Sequence, residues 1–149
     1  MIRLALLLTG DRATAEDVVQ DAFLGLWRRW PGLDDPGNAV SYLRASVVNG
    51  CRSVHRSRRM AWLRRPPGDP PVWSAEAAAI NGEDQREVLA AVAGLPHRQR
   101  EVLALRFYLD MSEREIAATL RISRGTVSST VSRALGTLAR QLSPHKEIP

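Results

Sequence analysis

The sequence predicts an all-α protein made of two small helical domains. Three observations predict it. Apolar residues recur at spacings of three and four along several stretches, which is the period of one helix face. Alternating Val/Ile/Thr runs and hairpin turn signals are missing from the 149 residues. Four prolines within residues 66–71 break the helical pattern near the middle. Aromatic residues are only 5% of the chain, which fits small helical cores better than one large core.

The opening "MIRLALLLTG" reads as a helix end. Its apolar run is too short for a secretory signal, no A-x-A-like site follows, and Asp11 interrupts it. No stretch is long and apolar enough to enter a membrane as a span. The clearest helix covers 15–30. Ala15, Val18, Val19, Ala22, Phe23, Leu26, Trp27 and Trp30 form its stripe, Thr14 caps it with Asp17 three residues on, and Pro31-Gly32 stops it. "GLDDPGN" is a loop. A second long helix begins near Asn38 and buries Val40, Leu43, Val47, Cys51 and Val54. Gly50 weakens it by about 1 kcal/mol relative to Ala, so its middle is expected to be less regular.

The run "RRPPGDPPVW" favours extended, polyproline-like chain. Residues 63–82 are therefore expected to be a linker between a domain over 1–62 and another over 83–149. In the second domain a helix over 83–93 should turn Val88, Leu89 and Val92 inward. Pro96 should open the next helix, which runs to about Tyr108 and buries Val102, Leu103, Leu105 and Phe107. "SEREIAATLRISRGTVSSTVSRAL", residues 112–135, reads as two short helices with a tight turn. Ser112 and Glu115 have capping-box spacing, Ile116, Ala117 and Leu120 share one side, Ile122 plugs the turn and Ser123 caps the last helix. Val127, Val131, Leu135 and Leu138 are its expected buried stripe.

The other face of that last helix is Arg124, Thr126, Ser128, Ser129, Thr130, Ser132 and Arg133. Ser and Thr are only fair residues for helix interiors, so local stability does not select them. A merely solvated face would carry Glu and Lys, and this one has neither. A helix that enters the DNA major groove needs short side chains, hydroxyls, and a few arginines for guanines or phosphates. The pattern therefore reads as the recognition helix of a helix-turn-helix.

The formal net charge is +5, carried almost wholly by Arg, since Lys146 is the only lysine. Position says more than the total. From Pro36 to Gly68 there is no Asp or Glu, while Arg44, Arg52, Arg56, Arg58, Arg59, Arg64 and Arg65 fall there. That imbalance points to a polyanion. Cys51 is the only cysteine, so no internal disulfide is possible and the cytoplasm is the expected compartment. On the buried stripe of its helix, Cys51 reads as core. No zinc-ligand spacing, P-loop, GxSxG or HExxH occurs, and His55, His97 and His145 are far apart without matched partners. Intrinsic catalysis, a metal and a cofactor are therefore not expected.

Taken in order, three segments resemble the bacterial sigma-70 family of RNA polymerase sigma factors, in its small two-domain extracytoplasmic-function group, with an actinobacterial cast. "LLLTGDRATAEDVVQDAFLGLWRRWPGL" is similar to the family's core-binding segment. "NAVSYLRASVVNGCRSVHRSRR" is similar to the part that recognises and melts the −10 element. "LAAVAGLPHRQREVLALRFYLDMSEREIAATLRISRGTVSSTVSRALGTLARQL" is similar to the region that binds the −35 element. The resemblance implies a factor that directs core RNA polymerase, through its β′ and β subunits, to promoter DNA for transcription initiation. It adds an anti-sigma factor to the candidate partners. It implies polymerase docking by Asp17, Gln20, Asp21, Phe23, Leu26 and Trp27, although core packing is the expected use of Phe23 and Trp27. It implies −10 contacts by Tyr42, Arg44, Asn49, Arg52, Arg56 and Arg58, where basic side chains neutralise phosphates of an opened strand. It implies −35 contacts by Arg124, Thr126, Ser128, Ser129 and Arg133.

The chain departs from the family's pattern in three places. The family carries about one more helix ahead of the segment matched at Met1, so the first domain is expected to be N-terminally short. Arg121 stands where the family commonly has Gly, and would be strained at positive φ. Ser128 and Thr130 stand where Lys or Arg is frequent, which should weaken phosphate contacts and flatten their salt dependence. The competing expectation is a free-standing helix-turn-helix regulator that binds operators as a dimer. It leaves the 15–30 and 38–59 helices without a purpose, and no apolar dimerisation seam is visible.

Overall fold

The computed structural model describes residues 1–64 and 83–143, the side chains of 83–85 excepted. The Pro-rich segment, His145 and Lys146 lie outside the described residues. Every regular element among the described residues is helical: α1 (Ile2–Thr9), α2 (Arg12–Arg29), α3 (Ala39–Leu63), α4 (Glu83–Ala93), α5 (His97–Leu103), α6 (Glu113–Leu120) and α7 (Arg124–Leu142). They fall into two compact units, α1–α3 in one and α4–α7 in the other.

In the first unit α1 buries Leu4, Ala5, Leu8 and Thr9. Gly10 ends it at φ 81, a left-handed conformation in which glycine carries no Cβ penalty, and its N–H donates to the Leu6 carbonyl. The next residue is extended, and that lets Asp11 cap α2 by accepting from the Thr14 N–H at 2.9 Å. The expected cap, Thr14, is thus already inside the helix. α2 buries Ala15, Val18, Val19, Ala22 and Leu26.

Phe23, Trp27 and Trp30 correct the expected stripe: they are 52%, 78% and 50% exposed. With only α1 and α3 to pack on, α2 has a narrow buried arc. At about 100° per residue, Phe23 and Trp27 fall roughly 90–130° from its centre. α3 buries Leu43, Val47, Val48 and Cys51, and Val40 at its first turn is exposed. The helix is continuous through Gly50, which corrects the expected irregularity. A Cβ at Gly50 would lie 2.8 Å from Val18 Cγ1, so glycine is what lets α2 and α3 approach.

In the second unit Leu95, Leu103 and Ala134 form a buried cluster against which Leu138 packs. Pro96 is the N-cap of α5, one residue ahead of the first-turn place expected for it. α5 runs on into one π-helical turn, Ala104–Tyr108, where the Leu109 N–H reaches back to the Ala104 carbonyl. Leu105 is buried, but Phe107 is 63% exposed. Two residues on from Leu105 in a helix is about 200° away, the opposite side. Val88, expected inward, is also exposed, while Leu89 and Val92 are half-buried. Glu101, unremarked in the sequence, is 1% exposed and bridges His97 Nε2 (3.1 Å) and an Arg98 Nη (3.0 Å).

α6 has the predicted capping box: Ser112 Oγ accepts from the Glu115 N–H, and the Glu115 carboxylate accepts from the Ser112 N–H. It ends at Arg121, which has φ 54 and ψ 49. A non-glycine residue there costs about 1 kcal/mol or more. Arg121→Gly is therefore expected to stabilise the protein by about 1 kcal/mol in denaturant titration, without the loss that a mid-helix glycine would cause. Ser123 caps α7, accepting from the Thr126 N–H at 3.0 Å. The buried line of α7 is Val127, Thr130 and Ala134, with Leu138 partly buried. This corrects the expected stripe: Leu135 is 44% exposed and Thr130 is 3% exposed. Successive steps of four drift by about 40° each, so a buried face alternates steps of three and four.

Candidate nucleic-acid and partner interfaces

The tight turn from α6 to α7 is closed by the Ile122 N–H donating to the Ala117 carbonyl at 3.0 Å. Both helices bury one line of side chains against their own unit, and the opposite side of α7 is open. Arg124, Thr126, Ser128, Ser129, Ser132 and Arg133 are all exposed. Thr130, placed on this face by the sequence reading, belongs to the core and can meet no phosphate. Gly125 and Gly136 share the open side, and a Cβ on either would meet nothing nearer than 3.9 Å. Several polar groups here are engaged by the helix itself. Ser123 Oγ and Thr126 Oγ1 lie 2.8 Å apart, Ser129 Oγ donates to the Thr126 carbonyl, and Arg133 Nε donates to the Ser129 carbonyl, the last two at 3.2 Å. The result is a short-sided face that lets the helix backbone approach a duplex closely, with arginines near the two ends of its polar stretch.

The basic helix of the first unit is α3. Asn49, Arg56 and Arg59 are exposed, and Arg44 and Arg52 are half-buried. Two residues of the sequence-predicted set have work inside the fold. Tyr42 is half-buried, its hydroxyl lies 3.5 Å from where a Cβ on Gly25 would be, and the Arg29 guanidinium lies over its ring at 5.6 Å. Arg58 donates to the Thr9 carbonyl (2.6 Å), to the Asp11 carboxylate and to Thr14 Oγ1 (2.9 Å). It thereby clamps α3 to the α1–α2 junction.

Burial raises the Asp11 pKa, but the Thr14 N–H bond, the Arg58 guanidinium and the Thr14 hydroxyl together outweigh it. The net effect holds the carboxyl below its ordinary 3.8. A folded value lowered below the unfolded one adds stability that is fully present above 3.8 and is lost as pH falls through the lowered value. Asp11→Asn keeps a capping side chain and loses the charge. Its deficit against wild type is expected to be constant from neutral pH down to about 4 and to shrink below that, in urea titrations across pH.

On α2 Asp17, Gln20, Asp21, Phe23 and Trp27 are all exposed, spread over about 160° of the helix, with Phe23 and Trp27 toward one edge and Asp17 and Asp21 toward the other. Leu26, grouped with them from the sequence, is 9% exposed and belongs to the core. Sequence reasoning passed over Leu24, which is 47% exposed between Gln20 and Asp17 on the same side. It also passed over Met60, Trp62 and Leu63, exposed where α3 runs past its core. For Leu24 the signal was available: its helical angle places it opposite Ala15 and Ala22. No helix among the described residues is long and apolar enough to cross a membrane.

A polar, Arg-bearing helix-turn-helix in one unit and a basic helix beside an acidic-aromatic one in the other define a two-domain DNA-binding protein. Comparison with known proteins gives it a family. Residues 1–60 match the family model for sigma-70 region 2, and residues 85–138 match that for sigma-70, region 4. An RNA polymerase sigma-E factor of Streptomyces avermitilis is 32% identical over 142 residues, covering 95% of this chain and 78% of the relative. The ECF RNA polymerase sigma factor RpoE of Cereibacter sphaeroides is 28% identical over 138 residues, covering 87% and 72%. Among solved structures, the sigma factor RpoE of Bartonella quintana, crystallised with the anti-sigma factor NepR, superposes with a TM-score of 0.74 at 25% identity. That match covers 97% of this chain and 91% of the other. The chain belongs to the sigma-70 family of RNA polymerase sigma factors, as a two-domain extracytoplasmic-function member. Its role is to direct RNA polymerase to promoters.

Proposed function

We propose a division of labour between the faces described above. The open side of α2, with Asp17, Gln20, Asp21, Phe23 and Trp27, docks on core polymerase. Asn49, Arg52 and Arg56 of α3, with Arg44 at its edge, contact the −10 segment as it opens. Arg124, Thr126, Ser128, Ser129 and Arg133 of α7 read the −35 duplex. Tyr42 and Arg58 hold α3 in place for that contact, and Leu26 supports the docking helix from beneath. Residues 63–82 connect a first domain over 1–62 to a second over 83–149. Linking the two raises the effective concentration of the second DNA site once the first is placed.

The observation that most supports this reading is the exposure of Trp27 at 78% and Phe23 at 52% on a helix that already buries Ala15, Val18, Val19, Ala22 and Leu26. Large exposed apolar side chains grouped on one face mark a partner surface. The catalytic work belongs to the polymerase, in the cytoplasm, and the chain supplies recognition without chemistry of its own. The likeness to a sigma factor solved with its anti-sigma partner supports an anti-sigma protein as a further partner of this chain.

The test is reconstitution. The purified chain mixed with core polymerase should co-elute with it and yield specific run-off transcripts from genomic fragments. A chain that never joins core enzyme, yet binds a palindromic duplex tightly alone, would overturn the proposal.

A further inference from the structure

Resting on the −10 role proposed for α3, we infer that Arg29 of α2 is a further contact for the opened strand, gripping one of its phosphates beside Tyr42. Arg29 stands apart from the docking residues of its own helix. It lies two residues on from Trp27, about 200° round, and about 80° beyond the Asp21 edge. That turns it toward α3, where its guanidinium lies over the Tyr42 ring at 5.6 Å. Tyr42 in turn heads a polar line. Tyr42, Asn49 and Arg56 are seven residues apart, about two helical turns each, so they follow one another along about 21 Å of α3. A strand held by Arg56 and Asn49 that continues toward the start of α3 therefore arrives at Arg29.

The surroundings of Arg29 orient it and leave its donors open. The ring attracts the guanidinium through its π face and offers no lone pair. Arg29 is exposed, and no hydrogen bond or ion pair engages it among the described residues. Two acids lie in the adjoining loop. Asp35 accepts from the Gly37 N–H at 2.8 Å, and neither it nor Asp34 pairs with Arg29. A cation in the last turn of α2 suits the helix dipole, but Arg28 already meets that need. A seated guanidinium with five unclaimed donors, at the end of a line of DNA-facing residues, fits the oxygens of a phosphate. Arg29 thus carries the basic track of α3 across to α2, and Tyr42 is its positioning residue.

The experiment uses polymerase reconstituted with the full chain, and single-stranded oligonucleotides carrying either strand of the −10 segment of one of its promoters. Binding is titrated at several salt concentrations, beside a titration of each variant against core enzyme. Arg29→Ala should keep wild-type affinity for core enzyme and lower affinity for the captured strand by on the order of tenfold. It should also flatten the logarithmic salt slope by about 0.7, the share of one single-strand phosphate, which a purely structural role would not move. Arg29→Lys keeps the charge and should keep the slope. Tyr42→Leu removes the seat, so combining it with Arg29→Ala should add no further loss. Arg28→Ala, in the same helical turn, should leave both affinity for the strand and slope unchanged. The inference is overturned if Arg29→Ala keeps the wild-type slope, or if its loss falls on core binding instead. A wild-type holoenzyme that captures neither strand is a different result, and it would overturn the inference by removing the −10 role of α3 itself.

Discussion

Replacing Trp27 by alanine is expected to leave the fold intact and to reduce affinity for core polymerase by on the order of thirtyfold or more. The two halves have different sources. Trp27 is 78% exposed and Phe23 is 52% exposed, so truncating either removes little that the folded chain buries. Surface substitutions of this kind shift stability by about 0.5 kcal/mol or less. In a protein interface, by contrast, tryptophan is the residue most often found as an anchor, and its truncation costs about 2 kcal/mol or more. At about 1.4 kcal/mol per factor of ten, that is the quoted loss. Asp17 and Asp21 are exposed on the same helix and would steer it to a basic partner surface, so Asp17→Asn should chiefly slow association and weaken its salt dependence. The measurement is a thermal melt of each variant beside a titration against core enzyme. A Trp27→Ala protein that melts well below wild type would return this residue to the core. One that melts normally and binds normally would remove it from the docking face.

Gly50→Ala is expected to destabilise the first unit by about 1–3 kcal/mol, although alanine is the better helix former. The added methyl would stand 2.8 Å from Val18 Cγ1, inside the packed contact of α2 and α3. Helical propensity alone predicts the opposite sign, a gain of about 1 kcal/mol. Val18→Ala alone opens a small cavity and also destabilises. The double variant restores the space the new methyl needs, so it should be more stable than the sum of the two single losses predicts. Gly32→Ala makes a neutral control, because a Cβ there meets nothing within 4 Å. Additive losses in the double variant would mean that the 2.8 Å contact is not what makes glycine necessary.

Some parts of this structure are written in the local sequence and others are not. Caps and stops depend on neighbours along the chain, so the Ser112–Glu115 box, Ser123 and the left-handed Arg121 were legible. The open polar side of the last helix was legible too, since its composition contradicts its own helix propensity. Which apolar residues are buried was less so. Sequence periodicity shows that a side is apolar, but how wide an arc is covered depends on how many helices pack on it. Phe23, Trp27 and Leu135 lie at the margin of such an arc and proved exposed; Phe107 lies opposite Leu105, and Val40, in line with Val47 and Cys51, sits at the exposed first turn of α3. Thr130 failed in the other direction, because its hydroxyl masks a position that the helical period places in the core. Arg58 could not be assigned from sequence at all. Its partners Thr9, Asp11 and Thr14 are more than forty residues away, and only the packing of α3 on the α1–α2 junction brings them within reach.

The most direct test of the two-face account is a footprint of the reconstituted holoenzyme on one of its own promoters, probed for duplex protection and for unpaired thymines in the same experiment. The account predicts an upstream protected duplex segment that fades with Arg133→Ala, and a separate downstream segment of reactive thymines that fades with Arg56→Ala. Both should vanish together when core enzyme is withheld. A single two-fold-symmetric footprint, laid down by the chain without polymerase and containing no opened strand, would contradict it.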